Sequence, residues 1–374
     1  MNPLKALHGH GQSIWLDYIS RGLITTGGLK RLVEEDGLRG VTSNPTIFHQ
    51  SISGSADYDG AVRHALETAP GITTQALYEL LAIEDIQAAA DILRPVYDAS
   101  DGADGLVSLE VSPHLAHNTQ GTVAEARRLW QTVGRPNLML KVPATSEGAP
   151  AIETLIAEGV NVNVTLVFSL AHYEAIAHAY IRGVARHPDP RRVASVASFF
   201  VSRVDTAVDK ALGAIDIPEA LALRGKVAVA NAKMGYHRFR EIFYGKPFEA
   251  QRKRGGRVQR VLWGSTGTKD PAYSDVLYVE ELIGQDTVNT VPPATLNAFR
   301  DHGRVWPTLS TGLDEAKETL ARLAALGVDL DAVTEQLQRD GVAAFASSFD
   351  QLLASLDEKR RALQVGALAP SRPA

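Results

Sequence analysis

The chain has no cysteine among its 374 residues, which excludes disulfides, thiolate metal sites and cysteine nucleophiles. The same absence fits a cytoplasmic protein without requiring one. An excess of one charge is missing too: 38 Lys and Arg face 43 Asp and Glu, for a net charge of -5. No global basic field is therefore available to attract nucleic acid or an acidic membrane surface. No apolar run approaches the length needed to span a bilayer, and Met1 to Gln12 lacks the basic start and apolar stretch of an export signal. Internal repeats, low-complexity tracts and a Gly-x-Gly-x-x-Gly turn after the first strand are absent as well. A hydrophobic content of 45% suits a large buried core, and the expectation is a soluble globular chain.

Short apolar runs alternate with segments of helical period. The strand candidates are Ser13–Ile19, Leu38–Ser43, Gly105–Val111, Leu138–Val142, Asn161–Phe168, Val193–Val201, Val258–Gly264 and Asp286–Val291. Helical faces show in Ile83, Ile86, Ala90 and Leu93, in Val123, Ala126, Leu129, Trp130 and Val133, and in Tyr173, Ile176, Ala177, Tyr180, Ile181 and Val184. Eight strands alternating with helices predict an α/β fold, a closed (β/α)8 TIM barrel, because each parallel crossover needs a helix. A doubly wound open sheet would give a similar string, without the glycine fingerprint to favour it. From about residue 311 the pattern is helical only, in Leu313–Leu326 and Asp331–Leu363, expected to pack on the barrel's outside or across its mouth. Residues 1–365 thus read as a single domain, and residues 366–374 as a disordered tail.

Within the run Leu138 to Ala144 stands one lysine, Lys141. Burial disfavours the charged form of an ammonium, and a lysine pushed toward neutrality is a nucleophile suited to Schiff-base formation with a carbonyl. The alternative is a structural ion pair, or a stem whose head reaches out of the strand end. In a barrel, polar residues at the C-terminal ends of strands mark the site. Here they are Asp17 on the first strand, Thr42 and Asn44 on the second, Glu110 on the third and Lys141 on the fourth. Asn161, Asn163 and Thr165 share one face of the fifth, Ser198 ends the sixth, and Arg203 follows. Six consecutive strands placing a polar group at one end describe a site rather than scattered core defects.

The segments Val41 to Thr46, Leu109 to Ser112, Leu140 to Thr145, Gly159 to Leu166 and Ala197 to Arg203 together resemble the transaldolase family, over roughly Ser13 to Phe299. Leu262 to Pro271 looks like its longer bacterial branch. The resemblance implies a class I Schiff-base enzyme that moves a dihydroxyacetone unit between sugar phosphates in the non-oxidative pentose phosphate pathway, with no cofactor and no metal. It implies Lys141 as the Schiff-base lysine and Asp17 as the carboxylate exchanging a proton with the sugar hydroxyl. Glu110 and Thr165 match the pair that orders a water for proton transfers. Asn44 and Asn163 match amides that bind the dihydroxyacetone fragment; Thr42, Ser198 and Phe200 line the pocket, and Arg203 binds phosphate. The family's second phosphate arginine has no counterpart, and Lys269 in Gly-Ser-Thr-Gly-Thr-Lys is the expected substitute.

A related aldolase, releasing free dihydroxyacetone, is the alternative; that branch tends to carry Tyr and Gln where this chain has Phe200 and Glu110. A non-catalytic sugar-phosphate-binding barrel is disfavoured by the presence of the lysine, both carboxylates and both amides. His8 and His10 precede the first strand, the wrong end for barrel metal ligands. His114 and His117 read as exposed loop residues. The basic run Arg252 to Arg257 has no interleaved aromatics and reads as a solvated loop rather than a nucleic-acid site. The expected partners are phosphorylated sugars, with the chain a monomer or homodimer.

Overall fold

The computed structural model describes residues 2–368, and in them eight parallel strands close into a barrel in sequence order. They are β1 (Gln12–Leu16), β2 (Gly40–Val41), β3 (Leu106–Glu110), β4 (Leu138–Pro143), β5 (Val162–Val167), β6 (Ser195–Phe200), β7 (Arg260–Gly264) and β8 (Thr287–Val291). β1 closes the ring by pairing with β8 as well as β2. Strands in such a barrel have helices outside and side chains inside, so both faces are buried and the sequence shows near-continuous apolar runs. The crossover helices bury the faces their periodicity indicated. Val123, Ala126, Leu129 and Val133 are buried on Thr119–Val133, and Tyr173, Ile176, Ala177, Tyr180 and Val184 on Leu170–Arg186.

Each strand candidate is a strand; seven are shorter than expected, while β4 runs one residue further, to Pro143, and β1 starts one residue earlier, at Gln12. The sharpest trimming is at β2, where Leu38–Ser43 reduces to two residues. Asn44 accepts a hydrogen bond from the Ile47 amide at 2.9 Å, and Pro45 opens the helix Pro45–Ser53, so the chain turns out of the sheet at once. Gly40 faces Trp15 inside the barrel: a Cβ there would lie 2.5 Å from the indole ring. Glycine is what lets the largest side chain of the interior fit.

Trp15, Leu106, Met139, Val196, Leu262 and Val288 form an apolar plug in the barrel. Residues two further along the same strands point inward just above it, because side-chain direction repeats every second residue. These include Ser108, Lys141, Ser198 and Thr290. The plug is the floor on which the site stands.

The helix Leu313–Ala325 packs against Val227–Phe243, while the helix Leu330–Leu368 crosses the mouth of the barrel. The second of the two packing options is thus the one observed for the long helix. Gln338 donates to the carbonyls of Ala144 and Leu166 at 3.0 and 3.1 Å, and Thr46 donates to Ser348 at 2.9 Å. Leu166 has φ +59° where the β5–β6 register shifts, so its carbonyl is freed from the ladder and meets Gln338. This helix continues past Val365, where a disordered tail was expected to start; residues 369–374 lie outside the described residues. No helix among the described residues is long and apolar enough to cross a membrane.

Candidate active site

Strand register assembles the centre. Glu110 on β3 aligns with Lys141 on β4, Lys141 aligns with Asn163 on β5, and Pro143 aligns with Thr165. Parallel strands in register present aligned residues on the same face, so carboxyl, amine and amide stand side by side inside the barrel. Above them opens a cavity of about 310 Å³. Asp17, Thr42, Asn44, Lys141, Thr165, Ser198, Phe200, Arg203 and Lys269 all line it, nine of the twelve residues singled out from the sequence. Glu110 and Asn163 do not line it but touch residues that do: Glu110 lies against Lys141 and borders a neighbouring cavity with Tyr78 and Phe349, and Asn163 bonds Ser198. Asn161 does not belong to the site: it precedes β5 at the opposite end of the barrel, where its side chain bonds the Pro136 and Leu138 carbonyls and the Ala194 amide.

The Lys141 ammonium is 3.4 Å from Glu110 Oε2 and donates to the Ser43 carbonyl at 3.2 Å, with both side chains 5% exposed. The ion pair left open by the sequence is therefore present, and it lies inside the site. Burial raises the Glu110 carboxyl above the ordinary carboxylate range, with Lys141 opposing. Burial raises Asp17 too, against Lys141 and the Thr42 hydrogen bond. Thr42 Oγ1 donates to Asp17 Oδ1 at 2.9 Å and lies 2.9 Å from Thr290 Oγ1, so a residue just past β2 and one on β8 together orient the carboxyl just past β1.

The two asparagines are held differently. Asn44 uses its carbonyl oxygen to cap the following helix, which leaves its amide donors for the cavity. Asn163, fully buried, donates to Ser108 Oγ at 3.0 Å and accepts from Ser198 Oγ at 2.7 Å, a row across β3, β5 and β6. Thr165 Oγ1 and Glu110 Oε2 are buried and have no hydrogen-bond partner among the described residues. Arg203, just past β6, has its guanidinium 5.4 Å from the Phe200 ring centroid and 5.8 Å from that of Phe345. Asp17 and Glu110 act on it electrostatically rather than as hydrogen-bonded partners, so its donors face the cavity. Lys269 is an exposed residue of the same lining.

Thr46, Ile47, Gln50, Ser265, Thr290 and Phe345 also line the cavity and were not foreseen. The inward alternation of β8 could have shown Thr290, two residues past Val288 of the plug. Nothing local marks Phe345, an ordinary apolar residue of a helix face. His114 and His117 bond Asp350 and Glu147, and His8 lies in the helix before β1, at the other end of the barrel.

An eight-stranded barrel with a lysine and two carboxyls buried at its C-terminal mouth defines a class, the (β/α)8 proteins with a buried lysine–carboxyl centre. The model of the transaldolase/fructose-6-phosphate aldolase family matches residues 14–356, and the chain belongs to that family. It is 51% identical to the transaldolase of Thiobacillus denitrificans over 361 residues, covering 95% of this chain and 100% of that protein. It is 45% identical to transaldolase 2 of Nostoc sp. over 378 residues, with 97% and 99% covered. The transaldolase of Thermobifida fusca is 47% identical over 357 residues, with 94% and 96% covered.

Proposed function

We propose that this chain is a transaldolase, a transferase that carries a dihydroxyacetone unit on Lys141 from a ketose phosphate to an aldose phosphate. Sedoheptulose 7-phosphate or fructose 6-phosphate is the donor, and glyceraldehyde 3-phosphate or erythrose 4-phosphate the acceptor. The reaction belongs to the non-oxidative pentose phosphate pathway, in the cytoplasm. The observation that carries this reading is the alignment of Glu110, Lys141 and Asn163 across three strands beneath a cavity that Asp17 lines.

The Lys141 amine adds to the ketose carbonyl, and loss of water from the carbinolamine gives an imine. Glu110, its pKa raised, is suited to donate the proton that the departing hydroxyl takes. Thr165 Oγ1, without a hydrogen-bond partner, and Glu110 Oε2, paired with Lys141 alone, are suited to hold the water that later reverses this step. Asp17 accepts the proton of the sugar hydroxyl as the adjacent carbon–carbon bond breaks. The bond's electron pair moves into the C=N unit, leaving an enamine on Lys141 and a free aldose phosphate. The acceptor aldehyde then takes the enamine carbon, and Asp17 returns its proton to the new hydroxyl. Asn44 and the Asn163–Ser198 row hold the fragment's hydroxyls. Arg203 and Lys269 bind the phosphate remote from the reacting carbon.

The test is a coupled assay with fructose 6-phosphate as donor, run with and without erythrose 4-phosphate. Turnover should require the acceptor. Equal turnover without it would assign the chain to aldol cleavage instead.

A further inference from the structure

Among the described residues, Phe345 is the one lining the cavity that comes from neither a barrel strand nor the segment directly after one. It belongs to the helix across the mouth, is 3% exposed, and its ring centroid lies 5.5 Å from Lys141 Nζ. The same ring is 5.8 Å from the Arg203 guanidinium. The helix is fixed on both sides of this position. Gln338 holds it to the ends of β4 and β5, Ser348 to Thr46, and Phe349 packs edge-on against Tyr78 at 5.4 Å. Further on, Lys359 bridges the Ser55 carbonyl and Asp59 at 2.6 and 2.7 Å. The ring is therefore a braced roof over the amine. Between the roof and the apolar plug lies a polar layer, with Ser108, Asn163 and Ser198 bonded in a row.

We infer that Phe345 shields the Lys141-bound three-carbon enamine from bulk water, and so decides between transfer to an aldehyde and release as free dihydroxyacetone. The inference rests on the Schiff-base reading above. Hydrolysis of an imine also ends the normal cycle, so the step that distinguishes release comes earlier. It is a proton, rather than an aldehyde carbon, arriving at the enamine carbon. In the release route one water is consumed for each dihydroxyacetone. One of its hydrogens ends on the former enamine carbon and the other on nitrogen. Its oxygen becomes the ketone oxygen, and the broken C–N bond leaves its electron pair on Lys141. An apolar ring above that carbon denies water the position from which it would deliver the proton.

The experiment is a series of Phe345→Leu, Phe345→Val and Phe345→Ala in the full chain. For each, free dihydroxyacetone formed from fructose 6-phosphate alone is measured against sedoheptulose 7-phosphate formed when erythrose 4-phosphate is added. Both rates come from the same folded molecules, so any loss of folded protein cancels in the ratio. The release-to-transfer ratio should rise from Leu through Val to Ala, reaching about tenfold or more at Ala, or about 1.4 kcal/mol between the two barriers. A flat ratio, with both rates falling together, would show that Phe345 only packs the helix and would overturn the inference. So would a ratio that falls. The unsubstituted protein separates this from failure of the underlying reading. If borohydride with fructose 6-phosphate adds no mass to its Lys141 peptide, the Schiff base itself is wrong and the roof has nothing to cover.

Discussion

The two ends of the barrel interior hold similar chemical groups in opposite states. At the lower end Arg260 donates to Asp104 Oδ1 at 2.9 Å, to the Ala103 carbonyl at 2.7 Å and to Ser13 Oγ at 2.9 Å. Ser13 in turn donates to Asp104 Oδ2 at 2.7 Å. At the upper end Lys141 meets Glu110 at 3.4 Å, Glu110 Oε2 and Thr165 Oγ1 lack hydrogen-bond partners, and Arg203 is held by rings. The apolar plug around Trp15 separates them. Buried polar groups that are fully bonded hold a structure together, while those left short of partners are available to a ligand. Individual amide oxygens are without partners at the lower end too, in Gln12, Asn137 and Gln259 at the starts of β1, β4 and β7; it is the bonding of the charged groups that distinguishes the closing end from the candidate site.

The largest effect should come from Lys141→Met, which removes the covalent route. Turnover should fall by about four orders of magnitude or more, and borohydride trapping should vanish while the fold persists. Normal activity in this variant would end the Schiff-base mechanism. Asp17→Asn keeps the shape but cannot exchange a proton, so turnover should drop by about two to four orders of magnitude. Imine formation should survive it, and the trapped adduct should still appear on the Lys141 peptide. Loss of trapping would place Asp17 in carbinolamine dehydration rather than bond cleavage.

Arg203→Ala comes next. Losing hydrogen bonds from a cation to phosphate should raise KM for phosphorylated sugars by about 10–100-fold. Unphosphorylated fructose or dihydroxyacetone should be affected much less. Lys269→Ala should act in the same direction more weakly, because Lys269 is exposed and a point charge on a flexible stem constrains geometry less. Equal losses for phosphorylated and unphosphorylated donors would mean that Arg203 braces the mouth instead.

What could be read before the structure follows the range of the interactions involved. The eight strands were legible because burial on both faces makes continuous apolar runs, and polar residues at one end of such runs are conspicuous. Lys141, Asp17 and Thr165 stand out for that reason. The bounds of β2 were misjudged because Asn44 and Pro45 end it through capping, which apolar patterning does not register. Ser108 and Thr290 needed the inward alternation followed through on every strand. Phe345 and Gln338 were beyond reach: their positions depend on how the last helix lies over the mouth, a contact with partners more than a hundred residues earlier.

The lower end offers a test of the comparison from the other side. Arg260→Met would leave Asp104 buried with only Ser13 and Trp15 as donors. Removing one partner of a buried ion pair should cost about 3 kcal/mol, read as a lower midpoint in denaturant. Turnover of the molecules that remain folded should be unchanged. A drop in kcat with unaltered stability would show that the plug transmits strain from one end to the other.

The smallest effect, and the finest test, concerns a carboxyl near the upper end that is fully bonded. Asp205, two residues past Arg203, accepts from the Ala228 amide at 2.8 Å and from the Tyr278 hydroxyl at 2.9 Å. Burial pushes its pKa up from the ordinary 3.8 to about 6, with the nearby Asp209 charge adding to the rise. The folded state therefore binds this proton more tightly than the unfolded state. As pH rises from about 4 to about 6 the unfolded chain has already lost the proton, and the group's contribution to stability falls until the cost is complete. Asp205→Asn abolishes that titration, and its amide can still bond the Tyr278 oxygen. Thermal unfolding should show the variant gaining on the parent between pH 4 and pH 7 and holding a constant gap above it. Turnover should stay within about twofold of the parent, since a satisfied carboxyl has nothing to offer a substrate. If turnover instead fell as far as in Asp17→Asn with KM unchanged, satisfaction would not be what sets the site apart, and the helix that begins beside Arg203 would belong to the chemistry as well.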